Sequence, residues 1–243
     1  VGNKSESITY VNMKLKACER VGIIGKKIEL DENISENDLI NKIEKLNKDS
    51  NISGILIQHP LPSNLNEQKI FNYINPKKDV DGLNTTSFGN MAMGQSSYIG
   101  ATPGAIMEIL RYYNINIEGK KAVVIGRSNI LGKPVVMALL NANATVTICH
   151  SKTNDLNSIL KDADIIVAAL GKPRYIKASL LKKGSIVIDA GYNEGNIGDV
   201  DFDNVDESIS YTPVPGGVGP VTIAFLLKQT ADAFERNIYE KNS

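Results

Sequence analysis

Ile8, Val11, Leu15 and Cys18 recur at the three-and-four spacing of one helical face, and Gly22 follows the last of them. The spacing predicts a helix over about residues 5 to 21. Lys27 to Leu30 reads as a short strand. Ser35 and Asp38 form a capping box ahead of Leu39, Ile40, Ile43 and Leu46, and Gly54 to Ile57 then reads as a buried strand. A loop from His59 to Asn64 leads to a helix around Glu67 to Ile74, ended by Pro76 and followed by the polar turn Lys77 to Asp81. Thr102 and Pro103 supply an N-cap and a first-turn proline for the next helix, to about Tyr113.

Beyond that helix the rhythm changes to apolar strands near 121 to 126, 144 to 149, 164 to 169 and 185 to 190, separated by helical patterns, with a last short strand near Ser210. Such an alternation predicts a doubly wound parallel sheet of the Rossmann-like kind. A final helix from Val221 to about Tyr239 carries Ile223, Leu226, Leu227 and Thr230 on one face and is expected to return to the first domain. The expected fold is therefore α/β in two domains: a small α/β domain over 1–102, completed by the helix 221–240, and a parallel-sheet domain over 103–220.

Composition narrows the function classes. The 243 residues carry 27 lysines and arginines against 27 aspartates and glutamates, so no global field favours nucleic acid or an anionic membrane surface. Cys18 and Cys149 lie in apolar periodic segments far apart, which favours reduced thiols and a cytoplasmic setting over a disulfide. No apolar stretch approaches the ~20 residues that a membrane-spanning helix requires. Val1 and Gly2, followed by a polar loop, read as the tail of a strand whose earlier part is missing. His59 and His150 have no cysteine or carboxylate at ligand spacing, so no metal site is expected.

The most informative stretch is KAVVIGRSNILGKP, Lys121 to Pro134. A buried strand stops at Gly126, and Gly132 and Pro134 precede a second apolar run, so the order reads strand, tight turn, helix. Such an elbow aims backbone N–H groups and the positive end of a helix dipole at one spot, which suits a pyrophosphate. Ser128 stands where the usual dinucleotide fingerprint has its second glycine, and Gly132 falls one position late. The second strand of such a fold ordinarily ends in a carboxylate for the adenosine ribose; here His150, Ser151, Lys152 and Thr153 follow it. Hydroxyls and a cation there, with Arg127 in the turn, favour the 2′-phosphate of NADP over NAD.

Three further features bear on chemistry. Tyr10 and Lys14 share a helix face and either line a cleft or form a half-buried ring beside a solvated amine. Gln58 sits at the carboxyl end of a predicted strand, where ligands gather in open sheets, while Asp79 and Asp81 suit an Asx-type turn as well as a functional carboxylate. Thr212 to Thr222, TPVPGGVGPVT, packs three glycines among three prolines, a stiff backbone bare of side chains that suits close approach to a flat ligand.

YVNMKLKAC, GILIQHPLP, KDVDGL, ATP, VVIGRSNILGKP, CHSKT, VIDAG and TPVPGGVGP, in this order, resemble the bifunctional methylenetetrahydrofolate dehydrogenase/cyclohydrolase family over almost the whole chain. Members of that family carry a further helix and strand ahead of the point where this sequence begins. They often have P-C-T-P where this chain reads Gly100, Ala101, Thr102, Pro103.

The resemblance implies NADP-dependent oxidation of 5,10-methylenetetrahydrofolate followed by hydrolysis of the methenyl product to 10-formyltetrahydrofolate, in one-carbon metabolism. It implies Lys14, Gln58 and Asp81 as the catalytic group, with Tyr10, Gly216, Gly217 and Gly219 at the folate. Thr102, Gly126, Arg127, Ser128, Gly132, His150 and Ser151 would bind the cofactor. A homodimer through the nucleotide domain is implied, with a small-molecule folate as the partner and neither nucleic acid nor membrane. A shikimate-dehydrogenase-like oxidoreductase lacks the support of KDVDGL and PVPGGVGP, and a catalytically silent nucleotide-binding module would leave Lys14 and Asp81 idle.

Overall fold

Two units make up the chain in the computed structural model, which describes residues 1–242: Val1–Ala101 with the chain from Ile223 onward, and Thr102–Thr222. In the first, the predicted opening helix is α1, Ser5–Arg20, closed by the Val21, Gly22 and Ile23 amides on the Cys18 and Glu19 carbonyls, with Gly22 at φ +75°. Helix α2, Glu36–Lys48, begins as the capping box requires: the Asp38 amide donates to Ser35 Oγ at 3.1 Å and the Ser35 hydroxyl to Asp38 Oδ2 at 2.7 Å. Its buried face, Leu39, Ile40 and Ile43, meets Ile55, Leu61, Leu65 and Ile70 in one apolar cluster.

Helix α3, Glu67–Phe71, is shorter than its pattern suggested; Tyr73 and Ile74 continue as a turn on the Ile70 and Phe71 carbonyls. A helix absent from the sequence reading follows: α4, Thr85–Ala92, capped by Asn84 Oδ1, which accepts from the Thr86 amide at 2.7 Å. Helix α5 runs over Ala101–Tyr112, so Thr102 lies inside its first turn rather than at the cap.

Two predicted strands do not form. Lys27–Leu30 joins no ladder; the Gly2 amide donates to the Leu30 carbonyl at 3.0 Å. Gly54–Ile57 makes a single parallel bridge, Ile55 to Asp79, with the Ile55 amide donating to the Lys78 carbonyl at 2.7 Å. A strand exists only through its neighbours, and the apolar pattern alone supplies none. Gly54 has its own reason: a Cβ there would sit 2.7 Å from Val80 Cγ1.

The C-terminal helix, Val218–Asn242, begins three residues ahead of its expected start, because a proline in a first turn sacrifices no intrahelical hydrogen bond. From Ile223 it belongs to the first unit, as expected. Leu226 and Ala233 pack with Val80, Tyr98 and Ala101. Buried Gln229 knits the join: its Nε2 donates to the Val80 and Ile99 carbonyls, each at 2.8 Å, and its Oε1 accepts from the Ile99 amide at 3.1 Å.

The second unit holds β1 (Lys121–Ile125), α6 (Gly132–Asn141), β2 (Thr145–Cys149), α7 (Leu156–Leu160), β3 (Ile165–Ala168), β4 (Ile176–Lys177), β5 (Ile186–Asp189), β6 (Val200–Asp201) and β7 (Ser210–Tyr211). The five-stranded sheet is parallel throughout in the order β2-β1-β3-β5-β7, with Ile125 in register with Cys149 on one side and Ala168 on the other. Strands β1, β3 and β5 are almost wholly buried, as apolar runs in a covered parallel sheet must be.

Where the sequence suggested helices at every crossover, only the first two connections are α-helical. The chain from β3 to β5 passes through β4 and a short 3₁₀ turn, Ala178–Leu180, and the chain from β5 to β7 passes through β6, which pairs with β4. Strand order reverses between β1 and β3, the place where such sheets open a crevice at their carboxyl ends.

Candidate functional site

In the first unit, the turn after Lys78 is built around Asp79, one of the two carboxylates that suit either an Asx-type turn or a functional role. Asp79 is buried. Its Oδ1 accepts from the Leu83 amide at 3.1 Å and its Oδ2 from the Asn84 amide at 2.9 Å and the Ser87 hydroxyl at 2.6 Å. Burial pushes its carboxyl up to about 6 against those three donors. Gly82, at φ +60°, presses on Ile99 and Gly100, where any Cβ would strike their backbone. Held between these two, Asp81 is half-buried and its Oδ1 accepts from the Ala101 amide at 3.2 Å.

Lys14 comes from α1, one turn after half-buried Tyr10, and its Nζ donates to Gln58 Oε1 at 3.0 Å. The amide is oriented by its other end, since Gln58 Nε2 donates to the His59 carbonyl at 2.9 Å. Burial pushes the Lys14 amine below its ordinary value, opposed by the negative charge of Asp81. Burial likewise raises the Asp81 carboxyl, opposed by the charge of Lys14, the Ala101 amide and His59. The structure thus brings together Lys14, Gln58 and Asp81, three residues separated widely in sequence, and adds His59. His59 adjoins Gln58 in QHPLP, and its closeness to Asp81 left no trace in spacing. An amine shifted downward by burial and held by a neutral acceptor, with a carboxylate in its field, is placed to take up and return a proton.

The same unit contains a cavity of about 650 Å³ whose walls include Ile8, Val11, Leu15, Ile43, Ile55 and Leu226, with Lys14 and Gln58 among its polar members. Neither Tyr10 nor Asp81 is on its wall, so the carboxylate suited to a polar ring system lies outside the aliphatic part.

In the second unit, Gly126 ends β1 at φ +126°, its amide donating to the Cys149 carbonyl at 2.9 Å. A Cβ at Gly126 would enter the Ala169 carbonyl, and one at Gly132 the Gly126 carbonyl, so both glycines let strand, elbow and helix close on one another. Ser128 caps the helix start: its Oγ accepts from the Leu131 amide at 3.2 Å and the Gly132 amide at 3.3 Å. The N–H groups expected to be free at this elbow are therefore satisfied by a hydroxyl, which an anion must displace or share.

After β2, His150–Thr153 form a tight turn in which Thr153 Oγ1 accepts from the His150 amide at 2.8 Å and His150 Nδ1 from the Lys152 amide at 3.1 Å. The side chains of Arg127, Ser151 and Lys152 are exposed beside these turns with no carboxylate among them, a donor set that fits a phosphorylated ribose. The Thr102 and Thr222 hydroxyls stand 3.5 Å apart, and Thr222 also donates to the Val218 carbonyl at 3.0 Å. Gly216, at φ +102°, and Gly219 have open space where a side chain would go, whereas Gly217 is required by the turn itself, its missing Cβ making room for the Pro213 carbonyl. Among the described residues no group of three histidine, cysteine or acidic side chains forms a metal site, and no helix is long and apolar enough to cross a membrane.

Two family models cover most of the chain: tetrahydrofolate dehydrogenase/cyclohydrolase, catalytic domain, over residues 1–81, and the NAD(P)-binding domain of the same family over residues 100–238. A bifunctional protein FolD of Leptospira biflexa is 53% identical over 235 residues, 96% of this chain and 81% of that protein. The crystal structure of the bifunctional FolD methylenetetrahydrofolate dehydrogenase/cyclohydrolase from Campylobacter jejuni superposes with a TM-score of 0.94 at 44% identity, covering 97% of this chain and 86% of that one. The Trypanosoma brucei enzyme, complexed with NADP and an inhibitor, gives a TM-score of 0.93 at 36% identity, covering 98% and 85%.

Proposed function

Since this chain belongs to the tetrahydrofolate dehydrogenase/cyclohydrolase family, and so oxidises 5,10-methylenetetrahydrofolate with NADP and hydrolyses the methenyl product to 10-formyltetrahydrofolate, we propose that Lys14, Gln58 and Asp81 carry its folate chemistry. When bound, the nicotinamide accepts the hydride of the one-carbon bridge. The folate nitrogens drive that departure with their lone pairs, so the chain contributes positioning rather than acid–base catalysis to the first step.

Hydrolysis asks more of it. As water adds to the methenyl carbon, a neutral Lys14 accepts a proton from it. As the bond from that carbon to the ring nitrogen breaks, Lys14 returns a proton to the nitrogen, and the remaining hydroxyl proton leaves to form the formyl group. Gln58 holds the amine in line without adding charge. Asp81 receives the paired N3–H and 2-amino donors of the pterin, and Tyr10 stacks on the aminobenzoyl ring. The Lys14 to Gln58 contact of 3.0 Å, in the field of Asp81, is the observation that carries this assignment.

Gly126, Ser128 and Gly132 form the pyrophosphate elbow in this proposal, with Arg127, Ser151 and His150 at the 2′-phosphate. Purified protein given methylenetetrahydrofolate with NADP or NAD, followed at the methenyl absorbance, tests it. NADP is expected to saturate at the lower concentration, and Arg127→Ala to raise the KM for NADP about tenfold, the worth of one charge-assisted hydrogen bond. A KM for NAD should stay unchanged; equal effects on both cofactors would remove Arg127 from the phosphate site. The proposed setting is the cytoplasm and the proposed assembly a homodimer through the nucleotide-binding unit, whose edge strand β2 leaves Thr147 and Ile148 exposed, and sedimentation of the purified protein decides the latter.

A further inference from the structure

Two buried carboxylates in the second unit, Asp189 and Asp199, take no part in the chemistry above. Asp199 is fully buried. Its Oδ2 accepts from the Leu170 amide at 2.6 Å and the Gly171 amide at 3.0 Å, and its Oδ1 from the Lys172 amide at 2.8 Å and Asn193 Nδ2 at 3.1 Å. Three consecutive backbone N–H groups of the loop leaving β3 thus close on one side chain from the approach to β6. Asp189, at the end of β5, secures that approach in turn: its Oδ1 accepts from the Gly191 amide at 2.9 Å and the Asp199 amide at 3.0 Å, and its Oδ2 from the Val200 amide at 2.9 Å. Gly191 and Gly198 are glycines because a Cβ at either would enter the Asp199 or the Asp189 carboxylate.

A buried ion is a costly way to tie down a loop, since several kcal/mol of desolvation must be offset by donors. The place of this loop explains the arrangement. It leaves β3 beside the elbow of β1: the Ala169 amide donates to the Ile125 carbonyl at 2.8 Å, and the Ala169 carbonyl occupies the space a Gly126 side chain would need. That is the carboxyl edge between β1 and β3, where the sheet order reverses. Leu170 packs on the core below the sheet, but Gly171, at φ +64°, is exposed with open space where a side chain would go, so beyond Leu170 it is the carboxylate that gathers the loop.

We propose that Asp199 is a positioning residue for the cofactor: by gathering the Leu170, Gly171 and Lys172 amides it fixes the β3 exit loop against Gly126 and shapes one wall of the NADP crevice. The proposal rests on the NADP reading of the elbow.

Asp199→Asn tests it, because the amide keeps one acceptor but turns its NH₂ toward backbone donors. In the ligand-free protein the amides of Leu170, Gly171 and Lys172 should exchange hydrogen faster. The Kd for NADP, titrated by fluorescence, should rise about tenfold, the worth of a charge-assisted hydrogen bond. Affinity for a folate analogue should not move, whereas a general loss of structure would move both. Asn193→Ala removes one donor from the same carboxylate and leaves the charge, with an expected rise in Kd of about threefold; it decides the matter if Asp199→Asn fails to fold. Faster exchange with unchanged NADP affinity would overturn the proposal. Failure of the unaltered protein to bind NADP would instead overturn the cofactor reading.

Discussion

Replacing Lys14 with methionine is expected to abolish cyclohydrolase activity while dehydrogenase activity stays measurable. Methionine reproduces the unbranched stem, so the packing of α1 survives and only the amine is lost. General acid–base groups contribute about 10²–10⁴ in rate, which sets the expected fall in hydrolysis. The oxidation relies on holding the folate carbon in place, so its rate should remain within about tenfold of the unaltered protein. The Gln58 oxygen loses its 3.0 Å donor, but Gln58 is half-buried and water can replace the amine. One absorbance trace reads both outcomes, since methenyl product would accumulate instead of passing on to the formyl compound. Equal loss of the two activities in a folded variant would remove Lys14 from its proposed role and leave it a structural residue.

How far these residues were visible in the sequence depends on the kind of force that places them. The parallel sheet was legible because its strands are buried on both faces: Ala122 to Ile125 and Ile165 to Ala168 are unbroken apolar runs of the length a covered parallel strand takes, repeated in alternation with helical patterns. The α2 cap was legible for a local reason, a hydroxyl three residues ahead of a carboxylate. Gly54 to Ile57 looked the same as the sheet strands and failed, because pairing is a property of the neighbour and the described chain offers only Asp79.

The site divides along the same line. The i and i+4 spacing put Lys14 beside Tyr10, but nothing short of the fold brings Gln58 to the Lys14 amine or His59 into the field of Asp81. Asp199 was silent altogether. Apart from the Asn193 side chain, its partners are backbone amides 27 to 29 residues away, and backbone has no side-chain signature to read. Ser128 departs from the glycine fingerprint in the sequence, and the structure shows what the departure supplies: its hydroxyl accepts from the Leu131 and Gly132 amides at the start of α6, which a glycine could not do.

Asp81→Asn should weaken folate binding about 10²-fold and, at the same time, move the pH dependence of hydrolysis. The side chain keeps its shape, and its carbonyl oxygen can still accept from the Ala101 amide, so the turn anchored by Asp79 stays in place. The pterin edge presents two donors, however, and an amide meets one of them with a donor of its own; losing a charged acceptor and leaving a donor unpaired together account for the expected loss. The second effect follows from the field at Lys14. Burial lowers that amine and the Asp81 charge partly restores it, so a neutral residue at 81 removes the restoring influence and lets the value fall further. If neutral Lys14 accepts the proton from water, hydrolysis increases as pH rises through the Lys14 value, and in the variant this ascending limb shifts to lower pH. Fluorescence titration with a folate analogue and the pH profile of kcat read the two effects separately. Unaltered folate affinity would take Asp81 out of the pterin site, and a limb displaced to higher pH would show that the two side chains do not share a field.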